Sequence, residues 1–480
     1  MMKISRFYLL MVLIVLTGTT QAQQTRLWPL QACIDTALQN NIQMNQQRLN
    51  NRLTQINYEQ SRAQRLPTLN ASASQSYSFG RSIDPYTNQY NNNNFASNSF
   101  SMNSSLTLFN GFQIKNKIKQ NEIDLKAGEK DLETLKKNVT LNVVLGYVQV
   151  LFAYEQLENA RNKVSSTKAQ VERTEKLVEM GELPESNLLQ MKSQMAIDHY
   201  AQVNAENQLW MSKVNLMQLM EIPVNAGFDV VRPQLPDSLD TRILTLKTDE
   251  IYQEALNTQP QVQSAALKVM SAEKNLEISR GAMYPRLSLS ANLSSGYSNA
   301  RSLYDRSYTT VTQEIGYLAS DPTEKVLADK QQALVESRPY PFQNQVWDNF
   351  GQSVRLSLSI PLFNSKQVKT NIKRSMINIE TARLNELNVK VQLRKEVEQA
   401  FSDLIVASKS FAAAYEQLLS ARKSYLDVEK KYNLGLLNAT DYLIEKNNYA
   451  NAQVTLIRNK YDFIFKKKIL DFYLGKPIRF

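Results

Sequence analysis

From 111 to 183 the chain contains no proline, and apolar residues recur in it at every seventh position. Ile118, Leu125, Leu132 and Val139 form one series; after a step of four, Val143, Val150, Leu157, Val164, Val171 and Val178 form a second. A strict seven-residue repeat keeps one seam of a helix facing its partner and imposes a left-handed supercoil, while an insertion of four locally unwinds it. Both series return 254 positions later as Ile372, Ile379, Glu386 and Leu393, then Val397, Leu404, Phe411, Leu418, Tyr425 and Tyr432. An ordinary core stripe would not place one stutter identically in both. The pattern predicts two long coiled helices, near 111–180 and 365–434. Each is a rod of about 105 Å at ~1.5 Å per residue. Half-length helices are predicted beside them, near 31–65, 184–220, 249–283 and 438–474, so two stacked end to end match one long helix.

Between each first short helix and its long helix the period changes to two. Leu69, Ala71, Ala73, Tyr77 and Phe79 alternate with Asn70, Ser72, Ser74, Ser76 and Ser78; Phe100, Met102, Leu106 and Leu108 alternate with serine, asparagine and threonine. The second region repeats this with Leu287, Leu289, Ala291, Leu293 and Tyr297, and with Phe350, Val354, Leu356, Leu358, Ile360 and Leu362. Four strands are predicted, near 66–80, 96–109, 286–298 and 350–363. Their length and strict alternation suit tilted outer-membrane strands better than the shorter strands of a soluble sandwich. Long polar tips, 81–94 and 301–346, separate the strands of each pair.

The two regions are copies. Ala37-Leu38 recurs as Ala255-Leu256, Ser61-Arg62 as Ser279-Arg280 and Pro67 as Pro285, at an offset of 218. Farther on, Leu108-Phe109-Asn110 recurs as Leu362-Phe363-Asn364 and Gly181 as Gly435, at an offset of 254. The second copy therefore carries 36 additional residues in its hairpin. This tandem duplication predicts a first repeat over 23–221, a proline-bearing linker over 222–247, a second repeat over 248–475 and a short tail, 476–480. Four strands per chain cannot close a barrel, since about eight is the smallest, and open edges are not tolerated in lipid. The barrel must be shared between chains.

The first residues set the compartment. Lys3 and Arg6 precede a ten-residue apolar run, Phe7 to Leu16, followed by small residues up to Ala22. That is too short to span a bilayer and suits a signal peptide over 1–22, cleaved after Ala22. Leu30-Gln31-Ala32-Cys33 loosely resembles a lipoprotein cleavage box but stands sixteen residues beyond Leu16, so Cys33 reads as a residue of the first helix.

Composition then narrows the chemistry. Of 480 residues one is His and one is Cys, which excludes a Cys/His zinc site or a disulfide framework within one chain. Neither a metal nor a cofactor is expected. A mean hydropathy of −0.40 leaves no room for a bundle of apolar membrane helices. The formal charge of +11 falls to about +9 without Lys3 and Arg6, and is spread without a basic run, so nucleic acid is not an expected partner. Ser165-Ser166-Thr167-Lys168 spells S-x-x-K inside the long helix without the companion motifs of that chemistry, and reads as chance. His199 lies in a helix without a partner motif. No enzyme is expected.

The ordered, duplicated motifs resemble the TolC family of outer-membrane efflux channels over nearly all of the chain after the signal peptide. The resemblance rests on Leu30-x-x-Cys33-Ile34-x-x-Ala37-Leu38-x-x-Asn41, Leu66-Pro67-x-Leu69, Leu108-Phe109-Asn110-Gly111 and Pro361-Leu362-Phe363-Asn364. Glu179-Met180-Gly181-Glu182-Leu183 and Tyr432-Asn433-Leu434-Gly435-Leu436 complete it. It implies a mainly α protein with a membrane β-barrel portion: a homotrimer whose twelve shared strands meet outer-membrane lipid and whose coiled helices form a periplasmic tunnel. It further implies a passive channel of a tripartite efflux or type I secretion system, docked to a periplasmic adaptor (membrane fusion) protein and an inner-membrane pump. The family's docking turns map onto Met180-Gly181-Glu182 and Leu434-Gly435-Leu436. Its acidic constriction maps onto Asp441, with Tyr432 as the tyrosine that holds it. The matching site in the first copy is Asn187, not an acid; a further acidic position falls on Ile444 and a basic gate partner on Leu437, so this mouth is less acidic than the family type. Glu445, one turn on, is the alternative acid. The competing reading is a periplasmic coiled-coil adaptor or scaffold with soluble β-domains.

Overall fold

The computed structural model describes residues 27–86, 88, 90–92, 94–233 and 247–476. The expected signal peptide, 1–22, lies outside the described residues, as do 234–246 of the linker and the end of the tail. In the first repeat a short strand β1 (Leu27–Trp28) leads into helices α1 (Leu30–Asn40) and α2 (Ile42–Ala63), then β2 (Thr68–Ser78), β3 (Ser82–Ile83), β4 (Tyr90–Asn91) and β5 (Phe95–Asn110). The long helix α3 (Gln113–Glu179), α4 (Glu185–Leu219) and β6 (Asp229–Val230) follow. The second repeat comprises α5 (Thr248–Thr258), α6 (Pro260–Gly281), β7 (Arg286–Ser298), β8 (Ser302–Leu318), β9 (Asp321–Pro339), α7 (Phe342–Asp348), β10 (Gly351–Ser359), the long helix α8 (Gln367–Asn433) and α9 (Ala439–Tyr473). No described helix is long and apolar enough to cross a membrane.

The chain forms two compact units, one of helical segments (up to Ile56, Glu122–Ala272 and from Asn378) and one around the strands (Asn57–Asn121 and Glu273–Ile377). In the helical unit the seven-residue series is the buried seam. Ile118, Val139, Val143, Val150, Leu157 and Val171 of α3 are buried, as are Ile379, Leu393, Val397 and Leu404 of α8, and the series' other members are half-buried. Glu386, which interrupts the series, is half-buried and paired with Lys390 at 2.6 Å. Three clusters form the core. One holds Cys33, Ile34, Ala37, Tyr147, Leu151, Leu216 and Met217 of the first repeat with Tyr461 of the second, and another Ile251, Ala255, Val262, Phe463 and Leu470 around α8. The third sets Val171 and Met191 against Ala439 and Tyr442 and so joins the two repeats. Burial pushes the Cys33 thiol up to about 12, so it stays protonated and inert.

Two departures from the periodic reading have local causes. The first short helix of each repeat is broken rather than continuous. Asn41 ends α1 and caps α2 through its Oδ1, which accepts from Met44 N at 2.9 Å; at the matching place Pro260 cannot donate into the preceding turn. The 301–346 tip, read as a long polar loop, holds an antiparallel ribbon, β8 with β9, paired from Ser302↔Pro339 to Leu318↔Asp321. The linker also contributes structure: β1 pairs in parallel with β6, and the Tyr147 hydroxyl donates to the Val231 carbonyl beside them.

In the second unit the four long strands form one antiparallel sheet in the order β10-β7-β5-β2, so each repeat supplies a hairpin and β5–β7 joins the copies. Its register places Leu69, Ala71, Ala73, Phe100, Met102, Leu289, Leu293, Val354, Leu356 and Leu358 on one face. The other face carries the hydroxyls, cross-linked at Thr68–Ser105 (2.8 Å), Ser72–Ser101 (2.7 Å) and Ser74–Ser99 (2.7 Å). Below β5 the chain turns into α3 at Gly111, whose φ is +64° and whose Cβ position would lie 2.1 Å from the Gly281 carbonyl oxygen. Only glycine fits there, because both the left-handed backbone and the close approach exclude a side chain.

Candidate functional site

Two features of the helical unit draw together the singled-out residues: the turns that follow the long helices, and the cluster just inside them. After α3, Gly181 adopts φ +75° and Glu182 N bonds back to Leu177 O at 2.9 Å. After α8, Gly435 adopts φ +72° and Leu436 N bonds to Lys431 O at 2.9 Å. Both are helix ends closed by a left-handed glycine that satisfies the last carbonyls. Their side chains are not used for closure: Met180, Leu434 and Leu436 are 64%, 74% and 70% exposed. Arg173 of α3 ties the two turns together, donating to the Asn433 side chain and, at 3.3 Å, to its carbonyl. Pro184, read as the first residue of α4, stands one place earlier as its N-cap.

Asp441 is the third residue of α9 and is exposed. Asn438 caps that helix by accepting from Asp441 N at 2.8 Å and donates its own amide to the Asp441 carboxylate at 2.9 Å. This cap satisfies one orphan backbone N–H and sets a carboxylate at a helix N-terminus. Asn187 occupies the same place in α4, its N–H bonded to Pro184 O at 3.0 Å. Glu445 accepts from Asn448 at 3.3 Å. Within one chain Tyr432 stacks on Tyr442 (ring centroids 4.6 Å) and Tyr425 on Tyr449 (5.2 Å), so Tyr432 meets an aromatic neighbour of Asp441. The Tyr425 hydroxyl donates to Glu429 at 2.6 Å, and burial raises its pKa.

Deeper along the same helices lies a buried charge cluster that the sequence reading did not single out. Asp198 of α4 and Lys446 of α9 are 1% and 6% exposed. Lys446 Nζ donates to Thr167 Oγ1 of α3 at 2.9 Å, and Thr167 donates to Asp198 Oδ2 at 2.6 Å. Lys163 of α3 pairs with the other carboxylate oxygen at 3.1 Å, and Gln194 donates to it at 2.8 Å. Burial pulls the Lys446 pKa down to about 8, opposed by Asp198 and Glu429 and reinforced by Lys163. The available signal was weak: Thr167 and Thr174 stand three residues after Val164 and Val171, where a coiled seam prefers apolar side chains, and both are buried. Ser165 and Lys168 of the S-x-x-K string point to solvent, as does His199.

A model described as outer membrane efflux protein matches residues 33–220, 251–317 and 344–476. The chain is 20% identical over 455 residues to outer membrane efflux protein BepC of Brucella suis, covering 94% of this chain and 85% of that protein. It is 22% identical over 382 residues to toxin and drug export protein A of Aggregatibacter actinomycetemcomitans, covering 78% and 71%. Among solved structures, the outer membrane protein VceC of Vibrio cholerae superposes with a TM-score of 0.73 at 14% identity, covering 94% of this chain and 97% of that one. The Campylobacter jejuni CmeC outer membrane channel superposes with a TM-score of 0.70 at 17% identity, covering 93% and 85%.

Proposed function

This chain belongs to the outer membrane efflux protein family, and from that premise we propose that three copies share one barrel and act as the exit duct of a tripartite pump. The protein is an outer-membrane channel with its helical part in the periplasm, and a passive conduit rather than an enzyme. The observation that carries the trimer is the sheet β10-β7-β5-β2. It has an apolar face for lipid, a hydroxyl face for water, and unpaired edges at β10 and β2. Because every neighbouring pair is antiparallel, β10 of one copy meets β2 of the next antiparallel as well, and three copies close twelve strands. Mass measured in detergent should correspond to three chains, and a stable monomer would overturn the shared barrel.

Topology has a separate test. A cysteine placed at Thr310 in the ribbon should react with a membrane-impermeant maleimide on intact cells, against a silent background because Cys33 is buried. Protection would favour the periplasmic scaffold. The exposed turns at Met180-Gly181-Glu182 and Leu434-Gly435-Leu436 are the docking points for a periplasmic adaptor, which in turn holds the inner-membrane pump.

At the mouth, threefold symmetry gathers three Asp441 carboxylates, and a ring of one sign in a narrow pore selects counter-ions. Asp441→Asn is expected to cut the cation preference of the closed channel, read as reversal potential across a salt gradient. The capping bond from Asn438 to the backbone of residue 441 survives that change, so the trimer stays assembled. Glu445→Gln is the control, and unchanged selectivity in both variants would remove these acids from the constriction.

A further inference from the structure

The only charged side chains on the four sheet strands are Arg286 and Arg355. The register places them on one face. Arg286 stands opposite Ser359 and Asn110, and Arg355 opposite Ser290. Arg286 Nη2 donates to Thr107 Oγ1 at 3.3 Å, which fixes that face as the one carrying the hydroxyls. Both guanidinium groups therefore belong to the wall that excludes lipid, and both are exposed. Arg355 pairs four residues farther along β7 than Arg286, a rise of roughly 13 Å at 3.3 Å per residue. An acid enters that face from the loop after β2: Asp84 accepts from Ser298 Oγ and from Tyr86 N, the latter at 2.8 Å. At 1% exposure it is sealed, and Ser298 stands roughly 27 Å along β7 from the Arg355 level.

We propose that the barrel's hydroxyl wall, with Arg286 and Arg355 as its charged positions, selects polar organic anions bearing carboxylate, sulfate or phosphate groups as the cargo that passes through it. The inference rests on the trimeric channel reading, under which the two arginines become two stacked rings of three. Guanidinium groups present forked donors that match such anions, and in a confined wall without opposing carboxylates their field is not cancelled within the strands. Serine, threonine and asparagine side chains around them offer exchangeable hydrogen bonds, so an anion is held loosely and passes on. Arg286 sits at the first position of β7, where the strand follows α6; Arg355 lies within the wall and is the stronger determinant.

The test uses the whole trimer in a planar bilayer, with a probe added on the extracellular side so that the barrel is sampled before the Asp441 mouth. In the Asp441→Asn background, which removes the acidic mouth, trimesate, a tricarboxylate, should block single-channel current from that side, and hexaamminecobalt(III) at equal concentration should not. Arg355→Gln is expected to weaken trimesate block by roughly tenfold, the equivalent of one charge-assisted hydrogen bond. Arg286→Gln should weaken it less, and the double variant should abolish it with the trimer's mass unchanged. Arg355→Lys, which keeps charge but loses the fork, should retain part of the block. Equal trimesate block in wild type and the double variant, or equal block by the cobalt cation, overturns the cargo class while leaving the channel intact. A trimer that conducts nothing in any state removes the channel reading itself.

Discussion

Asp198→Ala is expected to loosen the helices around the mouth by about 3–5 kcal/mol, because it leaves two ammonium groups without their shared carboxylate. Lys163 and Lys446 both face Asp198, so its removal strands both charges, while the Thr167 hydroxyl that donates to it keeps the Lys163 carbonyl at 3.0 Å as its acceptor. Lys446→Met should behave oppositely. It deletes a desolvated charge and keeps the volume, while Asp198 retains Lys163 and Gln194, so stability is expected to hold or rise. Hydrogen exchange over 160–200 and 439–455 in the assembled protein measures both. Equal protection in the two variants would mean that the cluster does not hold these helices together.

The same lysine sets a pH dependence whose sign follows from its lowered pKa. Between about 8 and the ordinary 10.5 the opened helices hold a proton on Lys446 that the closed cluster does not. The state with more bound protons loses ground as pH rises, so the closed cluster gains stability across that window and is flat below it. Asp198, Lys163 and Glu429 are the charged groups facing it. Protection over 439–455 should increase from pH 8 to 9.5 in the wild type, and Lys446→Met should lose that slope.

Gly435→Trp is expected to abolish export while leaving a trimer in the outer membrane. Its Cβ meets nothing within 4 Å, so no core is disturbed, but at φ +72° an L side chain costs on the order of 1–2 kcal/mol. That strain falls on an exposed turn rather than on the core of either repeat. The indole would cover Leu434 and Leu436, the apolar pair proposed above as the adaptor contact. Gly181→Trp should act less severely, since Glu182 already makes the first turn polar. Susceptibility of cells to an exported drug, compared at equal trimer abundance, reads both; normal export in both variants would remove the turns from the docking surface.

The long helices, their stutter and the four strands were legible because each is a local period repeated many times, and burial of a seam or a face is what such a period encodes. The turns at Gly181 and Gly435 were placed by the resemblance, and their left-handed backbone is a finding of the structure. Asn41 and Pro260 were readable as breaks but were outweighed by the longer helical pattern around them. The ribbon β8–β9 was hidden by its composition: Tyr304, Tyr308, Val311 and Ile315 lie among charges on a hairpin exposed on both faces, so no clean alternation marks it.

Sequence by itself determined the long helices with their seven-residue seam and the two-faced strands, since these depend on neighbours a few residues apart. Tertiary structure alone decided the order β10-β7-β5-β2, which interleaves the copies, and the register that sets Arg286 and Arg355 on one wall. It also decided the meeting of Thr167, Asp198 and Lys446, which stand on three helices with 279 positions between the first and the last. Side chains that far apart carry no shared period; only the closing of the helices on one another removes water from them and makes their charges interact.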